Sequence, residues 1–216
     1  NDIDWDVGPI VEVTRICEAT APERNWKLSF DFNEQCPNED YVIDLLERIE
    51  RLSNLSFHRL QYIEQPTPRD LQTRTEMTVH RIARLRPVVI DESLTDLHSL
   101  KLARQRGYTG LALKACKGQT ECLLMGAAGA EYGMFTCVQD LTCLGGSFLH
   151  SCAVASRFPK VVAVEGNGRQ YCPIGNEAYM KEYAPMFRVR YGTVPTELLD
   201  GEGLGFTWQD LGTDMV

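Results

Sequence analysis

Short apolar runs that end in a polar or charged residue recur along this chain. The first polar residues at successive ends are separated by about 23 to 33 residues. That spacing leaves room for one strand, one helix and two short loops, so the pattern predicts repeated βα units. The six runs are KLSFDFN (27–33), RLQYIEQP (59–66), PVVIDES (87–93), GLALKA (110–115), MFTCVQD (134–140) and KVVAVEGN (160–167).

The segments between these runs are predicted to be helical. Segment 39–54 places its apolar residues three and four positions apart, on one face of a helix, with charged residues opposite. Segments 70–85 and 96–108 carry weaker versions of this pattern, and we expect Gly107 to end the second. The apolar residues of segment 39–54 are Val42, Leu45, Leu46, Ile49 and Leu52.

Two further helices are expected in the second half of the chain. Segment 122–133 is rich in alanine, and Thr120 is predicted to cap its start while Gly133 ends it. Segment 145–158 is followed by Pro159, which cannot continue a helix. A run of βα units with nearly continuous apolar strands indicates a parallel sheet covered by helices.

Parallel sheets of this kind occur as open sheets or as closed barrels. An open dinucleotide-binding sheet carries G-x-G-x-x-G after its first strand, and that motif is absent there. In a (β/α) barrel, every strand delivers its last residues to one common mouth, which fits a polar residue at the end of each run. We therefore predict the α/β class and a (β/α) TIM-type barrel.

Composition narrows the range of partners and compartments. With 216 residues, 44% of them hydrophobic, the chain is long enough for a large core, and its net charge of −8 argues against nucleic-acid binding. No apolar run approaches the length of a membrane span. The eight cysteines include no C-x-x-C pair, so we interpret them as small buried residues of a cytoplasmic protein.

In each of the first three runs, a carboxylate follows the apolar residues at the same relative position. Neighbouring parallel strands lie about 4.8 Å apart, so Asp31, Glu64 and Asp91 would converge and repel one another. A divalent cation with a preference for oxygen ligands, Mg²⁺, would resolve that repulsion, and Glu92 would then orient Asp91. The alternative is that each acid caps the following helix or pairs with an arginine at the rim.

Lys114 ends the fourth run, and we interpret it as a general base. Beside a cation and an apolar barrel interior its neutral form would be favoured, and a neutral amine accepts a proton. A base and a Lewis acid together suit removal of a proton α to a carboxylate, because the cation holds the enediolate charge. The alternative is a lysine that extends to solvent or pairs with Glu92 or Glu165.

The motifs DFN, YIEQP, VVIDES, LALK and GEGLGF together resemble the enolase superfamily, in its mandelate racemase and muconate lactonizing branch. The resemblance extends from about residue 25 to residue 206. It implies Mg²⁺ held by the three carboxylates named above, with Lys114 as acid or base. It also implies that Glu165 takes part at the substrate and that Asn33 lies near metal and substrate. We assign Gln139, at the end of the fifth run, to substrate binding as well.

The resemblance further implies a longer protein. The K-x-K pair of the family's second strand does not occur here. We therefore expect six of the eight barrel strands, without the N-terminal capping domain and the first strands. Residues 1–172 would form the partial barrel, and residues 173–216 would return toward the capping domain.

Two functions follow from this resemblance. The first is Mg²⁺-dependent proton abstraction from a small carboxylic acid, followed by dehydration, racemisation or epimerisation, or cycloisomerisation. Such a lyase or isomerase is expected to form a homo-oligomer in the complete protein, with neither nucleic acid nor membrane as a partner. The second is a barrel without catalysis that serves as a binding or structural module.

Overall fold

A computed structural model describes residues 2–139 and 142–206 of the chain. Asp140, at the end of the fifth run, and residues 207–216 of the expected C-terminal segment lie outside this range. The chain divides into two compact units, Asn1–Leu111 and Ala112–Val216, and the division falls within a strand. The domain boundary that we expected at residue 172 stays a prediction.

The first unit alternates helices and short strands after an N-terminal helix. Its strands occur in the order that the polar-ended runs predict. The elements are α1 (Ile3–Thr20), β1 (Leu28–Asp31), α2 (Glu39–Leu52), α3 (Asn54–Arg59), β2 (Leu60–Glu64), α4 (His80–Leu85), β3 (Val88–Ile90), α5 (Leu97–Gln105) and the start of β4 (Gly110–Leu113).

The second unit continues the alternation and ends in a helical segment. Its elements are the end of β4, a 3₁₀ turn (Ala115–Lys117), α6 (Gln119–Glu131), β5 (Phe135–Val138), α7 (Gly145–Arg157), β6 (Val161–Val164), α8 (Gly168–Tyr171), a 3₁₀ stretch (Pro173–Tyr179), α9 (Met180–Phe187) and a 3₁₀ turn (Glu197–Leu199).

Within the described residues the strands form a six-stranded sheet in chain order, β1-β2-β3-β4-β5-β6. The pairs β1–β2, β2–β3, β3–β4 and β5–β6 are parallel. Strands β3 and β4 are buried along their whole length, as expected when both faces of a parallel sheet are covered. All six predicted strands are confirmed.

Helix α2 confirms the strongest helical pattern of the sequence. The side chain of Asn38 caps it by accepting a hydrogen bond from Tyr41 N at 3.0 Å. The four apolar residues from Val42 to Ile49 on its inner face are completely buried. Leu52, which we expected on the same face, is instead 70% exposed, because the helix ends there and α3 begins at Asn54.

Two helix predictions were wrong in their bounds. Only His80–Leu85 is helical in segment 70–85, because the carboxylate of Asp70 accepts hydrogen bonds from Gln72 N and Thr73 N and so holds a turn. Helix α6 begins after Gly118, with no side-chain cap, so Thr120 is not its cap. The predicted stop of α5 is confirmed, since Gly107 has a φ of +99°.

Helices α7 and α9 build the core of the second unit. Phe148 and Leu149 of α7 pack against Met186 and Phe187 of α9. The turn into α7 is tight: Gly145 has a φ of +49°, its N–H donates to Asn176 Oδ1 at 2.8 Å, and a Cβ there would overlap the ring of Tyr179. None of the helices in the described ranges is long and apolar enough to cross a membrane.

The buried cysteines allow a test of this packing. Burial raises the pKa of Cys36 and of Cys152 to about 12, so at pH 8 both thiols stay protonated and react slowly with iodoacetamide. Cys116 is exposed and is expected to react first. Peptide mapping by mass spectrometry at successive times, with a urea-unfolded control in which every cysteine reacts, measures the order. Labelling of Cys36 as fast as that of Cys116 would contradict the packing.

Candidate functional site

The candidate site lies at the carboxyl ends of the first three strands. Asp31 ends β1, Glu64 ends β2, and Asp91 directly follows β3. Asp31 is the register partner of Glu64, which in turn pairs with Val89. Side chains alternate between the faces of a sheet, and Asp91 lies two residues after Val89, so the three carboxylates belong to one face and one end of the strands. We call these three residues the carboxylate triad.

The members of the triad differ in exposure. Glu64 and Asp91 are only 5% and 4% exposed. Asp31 is exposed, and its two carboxylate oxygens accept hydrogen bonds from Asn33, at 2.8 Å from the backbone N and 2.6 Å from Nδ2. Asn33, which we expected near metal and substrate, thus holds the carboxylate plane of Asp31.

The triad offers oxygen ligands of the kind that bind Mg²⁺. Three carboxylates supply the hard oxygen ligands that Mg²⁺ prefers, and burial of two acids on adjacent strands makes a nearby positive charge favourable. In residues 2–139 and 142–206, no three His, Cys, Asp or Glu side chains, as they are placed, form a group that could hold a metal ion. The donor types of the triad and their shared face fit Mg²⁺.

The loops after β1 and β2 contain left-handed residues. Asn33, Glu34 and Gln65 have φ values of 43°, 69° and 30°, a region that residues other than glycine rarely occupy and that often marks functional loops. Backbone hydrogen bonds join the two loops, from Glu34 N to Gln65 O at 2.9 Å and from Cys36 N to Pro66 O at 3.0 Å. The ends of β1 and β2 are therefore tied together beyond the strands.

An ion pair also links these two loops. The guanidinium of Arg69 donates to both carboxylate oxygens of Glu34, and the backbone N of Arg69 donates to Glu34 Oε1 at 2.6 Å. The hydrogen bond from Arg69 is the main reason that the pKa of Glu34 is lowered. Because Arg69 already neutralises its charge, Glu34 connects the two loops. The sequence pattern did not reveal this role.

Gln65 is the residue that our sequence interpretation passed over. It lies within the YIEQP motif, directly after Glu64, and is completely buried. Its Oε1 accepts hydrogen bonds from Asp91 N at 3.0 Å and from Ser93 N at 3.3 Å. An amide next to a strand-end acid was visible in the sequence, but its partner 26 residues away was not. The orienting role that we expected for the half-buried Glu92 stays a prediction.

The remaining candidates lie in the second unit, each directly after a strand. Lys114 follows β4 and is half-buried. Gln139 follows β5, is buried, and donates from its backbone N to Leu113 O at 2.8 Å. Glu165 follows β6, and its Oε1 accepts a hydrogen bond from Asn167 Nδ2 at 2.7 Å. The sequence did not predict the contact between Glu165 and Asn167. The catalytic roles of Lys114 and Glu165 and the binding role of Gln139 stay predictions.

Comparison with known proteins gives a family and a fold. Residues 2–211 match the family described as enolase C-terminal domain-like. No curated protein matches the chain. Among solved structures, muconate cycloisomerase from Pseudomonas fluorescens is 21% identical, with a TM-score of 0.62, over 78% of this chain and 44% of that chain.

Two other solved structures show the same likeness. The L-Ala-D/L-Glu epimerase from Bacillus subtilis is 17% identical, with a TM-score of 0.63, over 82% of this chain and 46% of that one. A mandelate racemase/muconate lactonizing protein from Herpetosiphon aurantiacus is 20% identical, with a TM-score of 0.60, over 77% and 44%. The chain thus spans less than half the length of these relatives.

The family and the likeness of fold bear out the predicted architecture. The chain is an α/β protein with six parallel strands of a (β/α) TIM-type barrel, whose complete form has eight. The family match covers nearly every residue, including all the strand ends that carry the candidate side chains. The chain therefore belongs to the enolase superfamily, in its mandelate racemase and muconate lactonizing branch.

Proposed function

We propose that the chain forms part of a lyase or isomerase that removes the proton α to the carboxylate of a small acid. Dehydration, racemisation or epimerisation, or cycloisomerisation would follow. The observation that carries the proposal is the carboxylate triad, in which three strand-end acids share one face and one end of adjacent strands. The known activities of family relatives, a muconate cycloisomerase and a dipeptide epimerase, support this class of reaction.

The carboxylate triad would hold Mg²⁺ through Asp31, Glu64 and Asp91. When bound, the cation supplies the positive charge that binds the substrate carboxylate and stabilises the enediolate. Glu64 and Asp91 are fixed in buried strand ends, which limits their motion. Asn33 donates twice to Asp31 and so keeps the plane of the third carboxylate constant.

Lys114 would take the α-proton. The support for this role is the position of Lys114 directly after β4 in a chain that belongs to the enolase superfamily. The C–H bond breaks, the proton moves to Lys114 Nζ, and the electron pair moves into the carboxylate of the substrate. Glu165, oriented by Asn167, and Gln139 would contact the substrate as it reacts.

Metal binding by the triad tests this proposal. Asp91→Asn keeps the size of the side chain but removes a charged ligand. The affinity for Mn²⁺, used as a probe for Mg²⁺ and measured by electron paramagnetic resonance, is expected to fall at least about 100-fold. That is the upper end of the loss caused by removing a residue that only hydrogen-bonds to a metal ligand. Asp96→Asn is the matched control, because the Asp96 carboxylate caps α5 by accepting from Ser99 N at 2.7 Å. Unchanged affinity in Asp91→Asn would remove the metal from the triad.

A non-catalytic barrel that serves as a binding or structural module is the second candidate. It is favoured by the finding that no three-ligand group is formed among the described side chains. Under this alternative, Asp91→Asn and Asp96→Asn would leave metal affinity equally unaffected. The same pair of variants therefore separates the two functions.

A further inference from the structure

We propose that Gln65 is a positioning residue that fixes Asp91 for metal binding, an inference that rests on the proposed function. Gln65 follows Glu64 at the end of β2, whereas Asp91 follows β3. Its side chain crosses from one strand end to the next. Because Gln65 directly follows Glu64, its contact with Asp91 N links the chain at two members of the carboxylate triad. This link lies outside the pairing of the strands.

Gln65 contacts the backbone at the point where the chain leaves β3. Gln65 Oε1 accepts hydrogen bonds from two backbone N–H groups, those of Asp91 at 3.0 Å and Ser93 at 3.3 Å. Both groups lie where the chain leaves β3. The carbonyl oxygen of one side chain therefore sets the backbone position from which the Asp91 carboxylate projects.

The amide of Gln65 is itself held by hydrogen bonds. Its Nε2 donates to Thr67 O at 2.9 Å and to Ser93 Oγ at 2.8 Å. An amide has two donor hydrogens and two acceptor lone pairs, and these four bonds use all of them. A flipped amide would point hydrogens at two N–H groups, so the orientation is fixed by the bonding itself.

The side chains around the Gln65 amide are buried. Gln65, Thr67 and Ser93 are nearly inaccessible to water, so a broken hydrogen bond in this group is not replaced by a bond to solvent. Gln65 also adopts a left-handed backbone, with a φ of 30°, and its N donates to Val89 O at 2.9 Å. Such strain persists only where the surrounding structure determines it.

A fixed position of Asp91 favours metal binding. Mg²⁺ requires nearly ideal octahedral geometry with short ligand distances, so a small displacement of one carboxylate lowers affinity.

Tyr108 belongs to the same hydrogen-bonded group and offers the comparison. Its hydroxyl bonds to Thr67 Oγ1 at 2.9 Å and reaches Gln65 Nε2 only at 3.5 Å, on the side of the amide away from Asp91 N.

The test compares Gln65→Met with Tyr108→Phe in the chain described here, with Mn²⁺ as the probe. Gln65→Met keeps the side-chain length but removes the bonds to Asp91 and Ser93, and the dissociation constant for Mn²⁺ is expected to rise about 10- to 100-fold. Tyr108→Phe removes the bond to Thr67 Oγ1 and the longer contact with Gln65 Nε2, and its Mn²⁺ affinity is expected to stay within about twofold of the unaltered chain.

A second readout needs no metal. Hydrogen exchange of the backbone amides of Asp91 and Ser93 is expected to accelerate about tenfold or more in Gln65→Met, because their acceptor is gone, and to stay unchanged in Tyr108→Phe. Should Gln65→Met fail to fold, Ser93→Ala replaces it. That change frees one hydrogen of the Gln65 amide and is expected to weaken Mn²⁺ binding about fivefold.

The outcomes distinguish this inference from the proposed function. Unchanged Mn²⁺ affinity in Gln65→Met, with affinity lost in Asp91→Asn, would overturn the role of Gln65 and leave the metal site intact. Equal weakening in Gln65→Met and Tyr108→Phe would overturn it as well, because general loosening would then explain both. Unchanged affinity in Asp91→Asn would overturn the proposed function and this inference together.

Discussion

Replacing Lys114 by methionine is expected to abolish exchange of the substrate α-proton with solvent deuterium. Methionine keeps the apolar stem and removes the amine, and loss of a general base slows proton transfer by about 10²- to 10⁴-fold. Because the chain spans less than half the length of its relatives, the assay uses the protein expressed from its whole reading frame. Deuterium incorporation into a panel of small α-substituted carboxylic acids is measured by mass spectrometry.

Lys117→Met is the matched control for this experiment. Lys117 is exposed and ends the 3₁₀ turn that follows Lys114. Its replacement removes the same charge from the same loop, so a change in overall charge would affect both variants. Exchange that continues at the normal rate in Lys114→Met would exclude Lys114 as the base.

Replacing Phe148 by alanine is expected to lower the free energy of unfolding by about 3–5 kcal/mol. Phe148 is 1% exposed, its ring centroid lies 5.6 Å from that of Phe187, and the guanidinium of Arg169 lies 5.1 Å from the ring centroid. Alanine would leave a cavity among these groups and remove the aromatic contact. Urea unfolding followed by circular dichroism measures the change.

Tyr171→Ala controls for removal of an aromatic ring from the same unit. Tyr171 is 71% exposed, so its loss is expected to change stability by no more than about 0.5 kcal/mol. A cost below about 1 kcal/mol for Phe148→Ala would show that α7 and α9 do not share a close-packed core.

The strands were predictable because each apolar run ends in a polar residue. β3, for example, is Val88–Ile90, and the chain leaves the sheet at Asp91. Helix α2 was predictable for a related reason, since its periodic face needs no knowledge of distant partners. Segment 70–79 was misjudged because the side chain of Asp70 competes for backbone N–H groups, and periodicity does not report that competition.

The candidate site was predictable in its residue types but not in its support. Spacing along the chain placed acids at successive strand ends, yet the shared face of the triad depends on strand register, which only the structure provides. The contact between Gln65 and Asp91 also joins residues far apart in sequence. Left-handed backbone at Glu34 and Gln65 carries no sequence signal, because neither residue type favours that region.

The paired loops after β1 and β2 carry a lesson for protein engineering. Backbone bonds run from residues 34 and 36 of one loop to residues 65 and 66 of the other, and the ion pair of Arg69 with Glu34 closes the same junction. Grafting a foreign sequence into one loop alone would leave N–H groups and a carboxylate of the other loop without their present hydrogen-bond partners. Directed evolution of new specificity in this barrel should therefore randomise both loops as one cassette.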